Sequence, residues 1–306
     1  MNALVHYMNI LGSAAILCLS AASSLLAQDS ARDWASLVGQ RFRAERDVVY
    51  RTAPGGIGLK LDLYIPYDKK PGPAIVYIHG GGWQTGSKEQ YVLWYLPYLQ
   101  LGYRVAAVQY RLSGVAPAPA AIEDCRCAFR WIARNGVRYG IDPARLVLTG
   151  GSAGGHLVLM TAMLDDSFDA ACNDPSPAPK ARAVINYYGA TDLAEMLSQN
   201  RANIARWFRG PGDAEELARR LSPLTWVRPG VPPVLTLHGD ADATIPLSHA
   251  TRLHEALTKA GVANQLVTIP GGAHGRHTWT DAGTLRVQRA IEQFLTTHGA
   301  LNGPNQ

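Results

Sequence analysis

From residue 59 to residue 65 the chain reads Leu-Lys-Leu-Asp-Leu-Tyr-Ile, with apolar and polar positions alternating one for one. A period of two predicts a β-strand with one face on a core and the other in water, the habit of an antiparallel edge strand. Asp47–Tyr50 reads as a further strand before it. The pattern then changes. Pro73–His79, Tyr103–Val108, Leu146–Leu148, Ala183–Tyr187, Val234–Leu237 and Gln265–Ile269 are short, nearly continuous apolar runs, as expected of strands covered on both faces. Segments with helical spacing lie between them: Glu89–Leu101, Ala120–Arg138, Ala153–Leu164, Ser248–Ala260 and Gly283–His298. Pro97 should kink or end the first of these, and Gly261 closes the fourth as a C-cap. Strand and helix alternate along almost the whole chain, which predicts an α/β fold with a mostly parallel sheet and helices on both faces.

Two segments stand outside this alternation. From about 194 to 231 helix-forming and loop signals mix, and a long excursion between strands reads as a small lid or binding insertion. Its Trp207 and Phe208 either pack the lid on the body or wall a substrate pocket. At the start of the chain, Ile10–Leu19 is apolar and Ser23–Ala27 offers a cleavage point, although no Lys or Arg comes before the apolar stretch. Residues 1–27 are therefore expected to be a signal peptide that sends the protein to the periplasm or outside the cell. An uncleaved anchor is the alternative; a stable membrane span is not expected from so short a stretch. Residues 28–306 are read as a single α/β domain.

Composition narrows the picture further. Of 306 residues 47% are hydrophobic and 17% charged, enough apolar material for a sizeable core and unlike a disordered chain. The formal net charge of +5 comes from scattered arginines rather than a basic run, so no nucleic-acid partner is expected. Beyond the signal three cysteines remain. Cys125 and Cys127 lie two apart on an expected helix and face different ways, so one of them pairs with Cys172 after export, or all three stay buried thiols. Their spacing makes no zinc pattern, and no metal is expected.

The chemistry-bearing residues gather where strands end. Gly150-Gly-Ser-Ala-Gly154 follows the Leu146 strand and matches G-x-S-x-G, a turn that presents a serine hydroxyl without crowding. His79-Gly-Gly-Gly-Trp83, His238-Gly-Asp-Ala-Asp242 and Gly271-Gly-Ala-His274-Gly275 follow three other strands. Serine, acid and histidine in that order suit acyl transfer: Ser152 as nucleophile, His274 as base, and a carboxylate to fix the imidazole tautomer. His277 is the second candidate for the base. Asp242 is preferred over Asp240, which reads as a turn aspartate, although the chemistry separates them only modestly. The backbone N–H groups of Gly81, Gly82 and Ala153, with Trp83 in reserve, would meet a developing oxyanion. A phosphate loop is a poor reading of the three glycines, because no Lys-Ser/Thr and no G-x-G-x-x-G accompany them. His79 and His156 are read as structural, and no cofactor is required.

Taken together, His79–Trp83, Val108–Leu112, Ala121–Asp124, Tyr139–Pro143, Gly150–His156, Tyr188–Asp192, His238–Pro246 and Gly272–Gly275 make the chain resemble an α/β-hydrolase. It is most similar to the BD-FAE-like (feruloyl and acetylxylan esterase-like) group, and also resembles the hormone-sensitive-lipase-type carboxylesterases. The resemblance implies the α/β-hydrolase fold and a Ser152, Asp242, His274 triad. Its H-G-x-x-D-x-x-V/I-P pattern selects Asp242 over Asp240. It further implies a serine carboxylesterase acting on small acyl or aryl esters such as acetyl or feruloyl esters, for which plant cell walls are one source. Trp83, Tyr188, Asp192, Trp207 and Phe208 are the expected pocket residues. Arg276 and Ala243-Thr244 depart from the pattern and bear on substrate preference. Arylformamidase or peptidase activity on the same fold is the alternative. Ala153 in place of an aromatic residue, and the lack of a propeller, weigh against a prolyl-oligopeptidase type. A non-catalytic binding protein of this fold would be expected to have lost the serine or the histidine.

Overall fold

The computed structural model describes residues 40–301, apart from 69 and 200. The chain divides into two compact units, Met1–Arg43 and Ala44–Gln306. The first, with the expected signal segment 1–27, lies almost wholly outside the described residues. The second holds the sheet and helices that follow. Among the described residues, no helix is long and apolar enough to cross a membrane.

Among the described residues eight strands form one sheet: β1 (Phe42–Ala53), β2 (Ile57–Pro66), β3 (Gly72–Ile78), β4 (Arg104–Val108), β5 (Ile141–Gly151), β6 (Ala183–Tyr187), β7 (Val234–Gly239) and β8 (Asn264–Ile269). Their spatial order is β1-β2-β4-β3-β5-β6-β7-β8. β2 runs antiparallel to β4, and the pairs from β4 through β8 are parallel. Every residue of β3, β4 and β6 is buried, as their unbroken apolar runs predict. From β3 the chain moves to one side and from β5 to the other, so the order reverses between two neighbouring strands. Ligand sites of open α/β sheets form at such a switch point, outside the carboxyl ends. Here Ile78 pairs with Gly150, which puts the segments after His79 and before Ser152 side by side.

β2 departs from the simple alternating picture. Leu59, Leu61, Leu63 and Ile65 are buried as expected, but Asp62 on the opposite face is fully buried too. Its carboxylate accepts the Asp47 N–H at 2.8 Å and lies 2.8 Å from the Lys88 ammonium, which also reaches Asp47 at 3.0 Å and Glu89 at 2.5 Å. A buried carboxylate is tolerable only when paired in this way. At Asp62 the polar face is therefore covered by an ion cluster, while Lys60 on the same face stays in water.

Among the described residues the α-helices that follow β1 along the chain are α1 (Val92–Gln100), α2 (Ala120–Asn135), α3 (Ala153–Met163), α4 (Leu193–Ser198), α5 (Ala202–Trp207), α6 (Ala214–Arg220), α7 (Ser248–Lys259) and α8 (Asp281–Thr297). Pro97 does not end α1 but lies inside it. The hydrogen bond it cannot donate would run to Leu93, whose side chain is 76% exposed, so water can serve that carbonyl. α3 is apolar nearly all round and almost every residue of it is buried, which places it against the sheet centre. α2 brings Cys127 to the short turn Ala170–Cys172, where it forms a disulfide with Cys172 (Cα–Cα 5.0 Å); Cys125, on another face of the helix, is a buried thiol. Beneath that turn, Arg126 and Arg130 both bind the Asp169 carboxylate, Arg130 at 2.6 Å.

Candidate active site

Ser152 stands between β5 and α3 with φ +58° and ψ −121°, a left-handed conformation unusual for a residue with a side chain. Neighbouring backbone forces the turn. A Cβ on Gly154 would lie 2.2 Å from the Ile78 carbonyl oxygen, so only glycine lets α3 start this close to the end of β3. The Ser152 N–H donates to the Tyr187 carbonyl at 2.9 Å, leaving the hydroxyl to face outward.

His274 Nε2 lies 2.8 Å from Ser152 Oγ, and its Nδ1 lies 2.7 Å from Asp242 Oδ2. With Asp242 ionised, Nδ1 carries the proton and Nε2 is free to accept one from the serine. The other oxygen of Asp242 accepts the N–H groups of Thr244 (2.8 Å) and Ile245 (2.9 Å). Burial pushes this carboxyl up, but the His274 hydrogen bond, the Ile245 N–H and the nearby imidazoles of His274 and His238 outweigh it. The net shift is downward. Asp240 plays a different part: its Oδ1 accepts the Gly271 N–H at 2.7 Å and braces the β7 and β8 turns against each other. His277 lines the same cavity, but its ring lies against Gly275 rather than on Ser152.

The loop after β3 supplies N–H donors. Gly81 has φ +111°, and a Cβ there would collide with the Thr85 carbonyl oxygen at 2.1 Å. The loop closes on the Gly81 carbonyl, which accepts the N–H groups of Gln84 and Thr85 (both 3.0 Å), while the Gly81 and Gly82 N–H groups donate to no backbone carbonyl among the described residues. The N–H of Ala153, at the head of α3, has no partner within its own helix. All three residues line a cavity of about 410 Å³ that also contains Ser152 and His274. Three donors converging beside a serine–imidazole pair can stabilise an oxyanion on an attacked carbonyl.

Two histidines hold this loop. His79 stacks on Tyr110 (4.3 Å), and the Tyr110 hydroxyl donates to the His79 carbonyl at 3.0 Å. His156 Nδ1 accepts the Trp83 indole N–H at 3.3 Å, while its Nε2 donates to the Leu221 carbonyl at 2.8 Å. Arg111, next along, grips Asp124 with two hydrogen bonds of 2.7 and 2.8 Å and ties the end of β4 to α2. Burial pushes His79, His156 and His249 down from 6.5 to about 4. Unfolded, each takes up a proton near pH 6.5; folded, each resists until about pH 4. The unfolded chain thus binds more protons in that window, and stability falls as the pH drops from about 6.5 to about 4, by up to roughly 3 kcal/mol per histidine. Urea midpoints measured from pH 7.5 to 4.5 should stay level near neutrality and then fall; a midpoint that does not move would contradict buried neutral imidazoles.

Of the expected pocket residues, Trp83 and Tyr188 line the cavity, and the Tyr188 ring meets His274 edge-on at 4.9 Å. The other three do not. Trp207 is fully buried and stacks on Trp83 at 4.7 Å with only 7° between the ring planes, and Phe208 packs beside it. Both belong to the contact of the 194–231 segment with the body, because two indoles bury more apolar area face to face than either could in a wet pocket. Asp192 caps α4 by accepting the Glu195 N–H and pairs with Arg252 at 3.0 Å. In their place the cavity is walled by Tyr77, Tyr91, Trp94, Met196, Arg201, Thr244 and Ile245. Tyr77 is readable in the sequence as the last large aromatic side chain of a buried strand before His79. The aromatic run Tyr91-Val-Leu-Trp94 is a signal as well.

The BD-FAE family model matches residues 61–257, and a second model, described as TAP-like protein, matches residues 213–305. Esterase LipQ of Mycobacterium tuberculosis is 29% identical over 280 residues, covering 84% of this chain and 63% of LipQ. Ethyl acetate hydrolase of Pseudomonas putida is 31% identical over 275 residues, covering 80% of this chain and 81% of that protein. The chain thus spans less than two thirds of LipQ but most of the hydrolase. Among solved structures, a thermophilic esterase of Thermogutta terrifontis with propionate bound superposes with a TM-score of 0.74 at 29% identity, covering 86% of this chain and 97% of the other. The same esterase is also known phosphorylated by paraoxon. The sheet order and these likenesses define an α/β-hydrolase fold.

Proposed function

Because the chain belongs to the BD-FAE family, we propose that it is a serine carboxylesterase in which Ser152 is the nucleophile, His274 the base and Asp242 the acid. The observation that carries the reading is the continuous hydrogen-bonded series from Ser152 Oγ through both nitrogens of His274 to Asp242 Oδ2. The serine oxygen bonds to the ester carbonyl carbon as His274 Nε2 takes its proton. The carbonyl oxygen becomes an oxyanion held by the N–H groups of Gly81, Gly82 and Ala153, each worth roughly 3 kcal/mol in the transition state. The C–O bond to the alcohol then breaks, and the imidazolium returns the proton to the departing oxygen. A water deprotonated by His274 attacks the acyl-serine, releasing the carboxylic acid and restoring Ser152.

A cavity of about 410 Å³ lined by Tyr77, Tyr91 and Trp94 fits small acyl or aryl esters, acetyl and feruloyl esters among them, with plant cell walls as one source. Export to an oxidising compartment is part of the same reading, supported by the Cys127–Cys172 disulfide. The test is p-nitrophenyl acetate turnover followed by titration with paraoxon. We expect hydrolysis, then loss of activity with one diethylphosphoryl group per chain, on the peptide containing Ser152. Absence of both turnover and adduct would refute the esterase reading.

A further inference from the structure

The cavity above Ser152 has an unbalanced charge. Among the described residues that line it there is neither an aspartate nor a glutamate, yet Arg201 is part of its wall. Arg201 lies in the segment between α4 and α5, and two neutral acceptors hold its guanidinium: Nε donates to Gln199 Oε1 at 3.0 Å and Nη1 to the Thr244 carbonyl. Its Nη2 amino group has no acceptor among the described residues. The carboxylates nearest along the chain, Asp192 and Glu195, are both taken by Arg252. A second guanidinium, that of Arg276, lies 4.6 Å over Trp94 and 5.2 Å over Tyr187, again with no carboxylate in ion-pair contact among the described residues. Trp94 itself lines the cavity.

A lone surface arginine is ordinary. One that is pinned in a pocket wall, with its Nη2 amino group unengaged among the described residues and without a counter-charge, is a prearranged receiver for a carboxylate through a charge-assisted hydrogen bond. Among the described residues no acid lines the cavity, the Asp242 charge lies behind His274 and is paired with it, and Arg276 adds to the positive field on the aromatic wall. Resting on the esterase reading above, we propose that the ester cleaved here carries a carboxylate on one of its two limbs, bound by Arg201. In chemical terms the substrate is a half-ester of a dicarboxylic acid or an acyl ester of a hydroxy acid.

The competing role for Arg201 is purely structural. Its bond to Thr244 leads to the loop whose N–H groups hold Asp242, so its loss could slow every ester equally. The two roles are separated by matched substrates. For the acyl limb these are monoethyl glutarate and its uncharged counterpart ethyl pentanoate; for the alcohol limb, 4-acetoxybenzoate and its methyl ester. kcat/KM is measured for each in the wild type and in Arg201→Gln, with the melting temperature as a check on folding. For one pair, Arg201→Gln should cost the charged ester about tenfold or more beyond its effect on the neutral one, mainly through KM, and Arg201→Lys should recover part of it. Wild-type KM for the charged ester should also rise from low salt to about 1 M, where the Debye length is about 3 Å, while the neutral ester is unaffected.

Equal losses for charged and neutral esters in both pairs would overturn the inference. If the glutamine variant does not fold, a wild-type KM insensitive to salt for both charged esters does so instead. Failure of the underlying reading looks different: Ser152→Ala would then leave hydrolysis of the neutral esters intact.

Discussion

Replacing Ser152 with alanine should lower kcat for p-nitrophenyl acetate by about 10⁶-fold and leave the melting temperature within a few degrees of the wild type. The catalytic loss is large because the hydroxyl is the group that forms the acyl bond, and no neighbouring side chain can take over its position at the head of α3. The structural loss is small because the hydroxyl makes one hydrogen bond, to His274, on a side chain that is only partly buried. Alanine meets the same left-handed backbone as serine, so the conformational strain at this turn is unchanged. His274→Ala should reach a similar floor, and the double variant should lose little more, because a nucleophile and its base act as one unit. The floor itself should stay above the uncatalysed rate, since Gly81, Gly82 and Ala153 would still polarise a bound carbonyl toward attack by water. The comparison needs only kcat values for the three variants. A Ser152→Ala enzyme that retains a tenth of the activity would place the nucleophile elsewhere.

That expectation draws on residues the sequence already exposes, and the reason is physical. Ser152 and the Gly81–Gly82 loop follow buried strands and His274 follows the half-buried edge strand β8, and a parallel sheet carries the ends of such strands to one edge whatever the helices do. Apolar runs and glycines at strand ends are thus enough to bring the site together. Thr244 is marked in the sequence as a departure that bears on substrate preference, whereas Arg201, Met196 and Ile245 are not legible as pocket walls. They lie in segments whose path depends on tertiary packing: for the 194–231 segment on the stacking of Trp207 on Trp83, and for Ile245 on the bonds of its N–H to Asp242 and of its carbonyl to His238. From sequence alone Trp207 could be a wall or a packing residue; burial decides for packing. Asp62 shows the same limit in a strand. Its alternation points it to water, but the partner that makes its burial tolerable, Lys88, lies in a turn 26 residues further on with no periodic signal. In the same way Cys127 rather than Cys125 meets Cys172, because the helix face that looks toward the Ala170–Cys172 turn is fixed by the packing of α2 on the sheet.

Asp242→Asn and Asp240→Asn should differ by several orders of magnitude, although the two residues are two apart and the change is one atom in each. At Asp242 the direction of the amide is dictated by its neighbours. The Thr244 and Ile245 N–H groups occupy Oδ1, so an asparagine must put its carbonyl there and turn its NH₂ toward His274 Nδ1. Nδ1 then becomes an acceptor and the imidazole proton moves to Nε2, where it faces Ser152 Oγ and cannot receive the serine proton. The charge that would stabilise the imidazolium is lost at the same time. A fall in kcat of roughly 10⁴ is expected, with KM little changed. At Asp240 the side-chain hydrogen bond to keep, among the described residues, is the one from the Gly271 N–H, which an amide oxygen accepts as well as a carboxylate. The expected loss there is below about tenfold, of the size that goes with slightly loosening the β8 turn. Measured side by side on one ester at one pH, the ratio of the two kcat values tests which aspartate orients the base. A ratio near one, or a larger loss for Asp240→Asn, would reverse the assignment, and the Thr244 and Ile245 amides would then have no part in setting the imidazole tautomer.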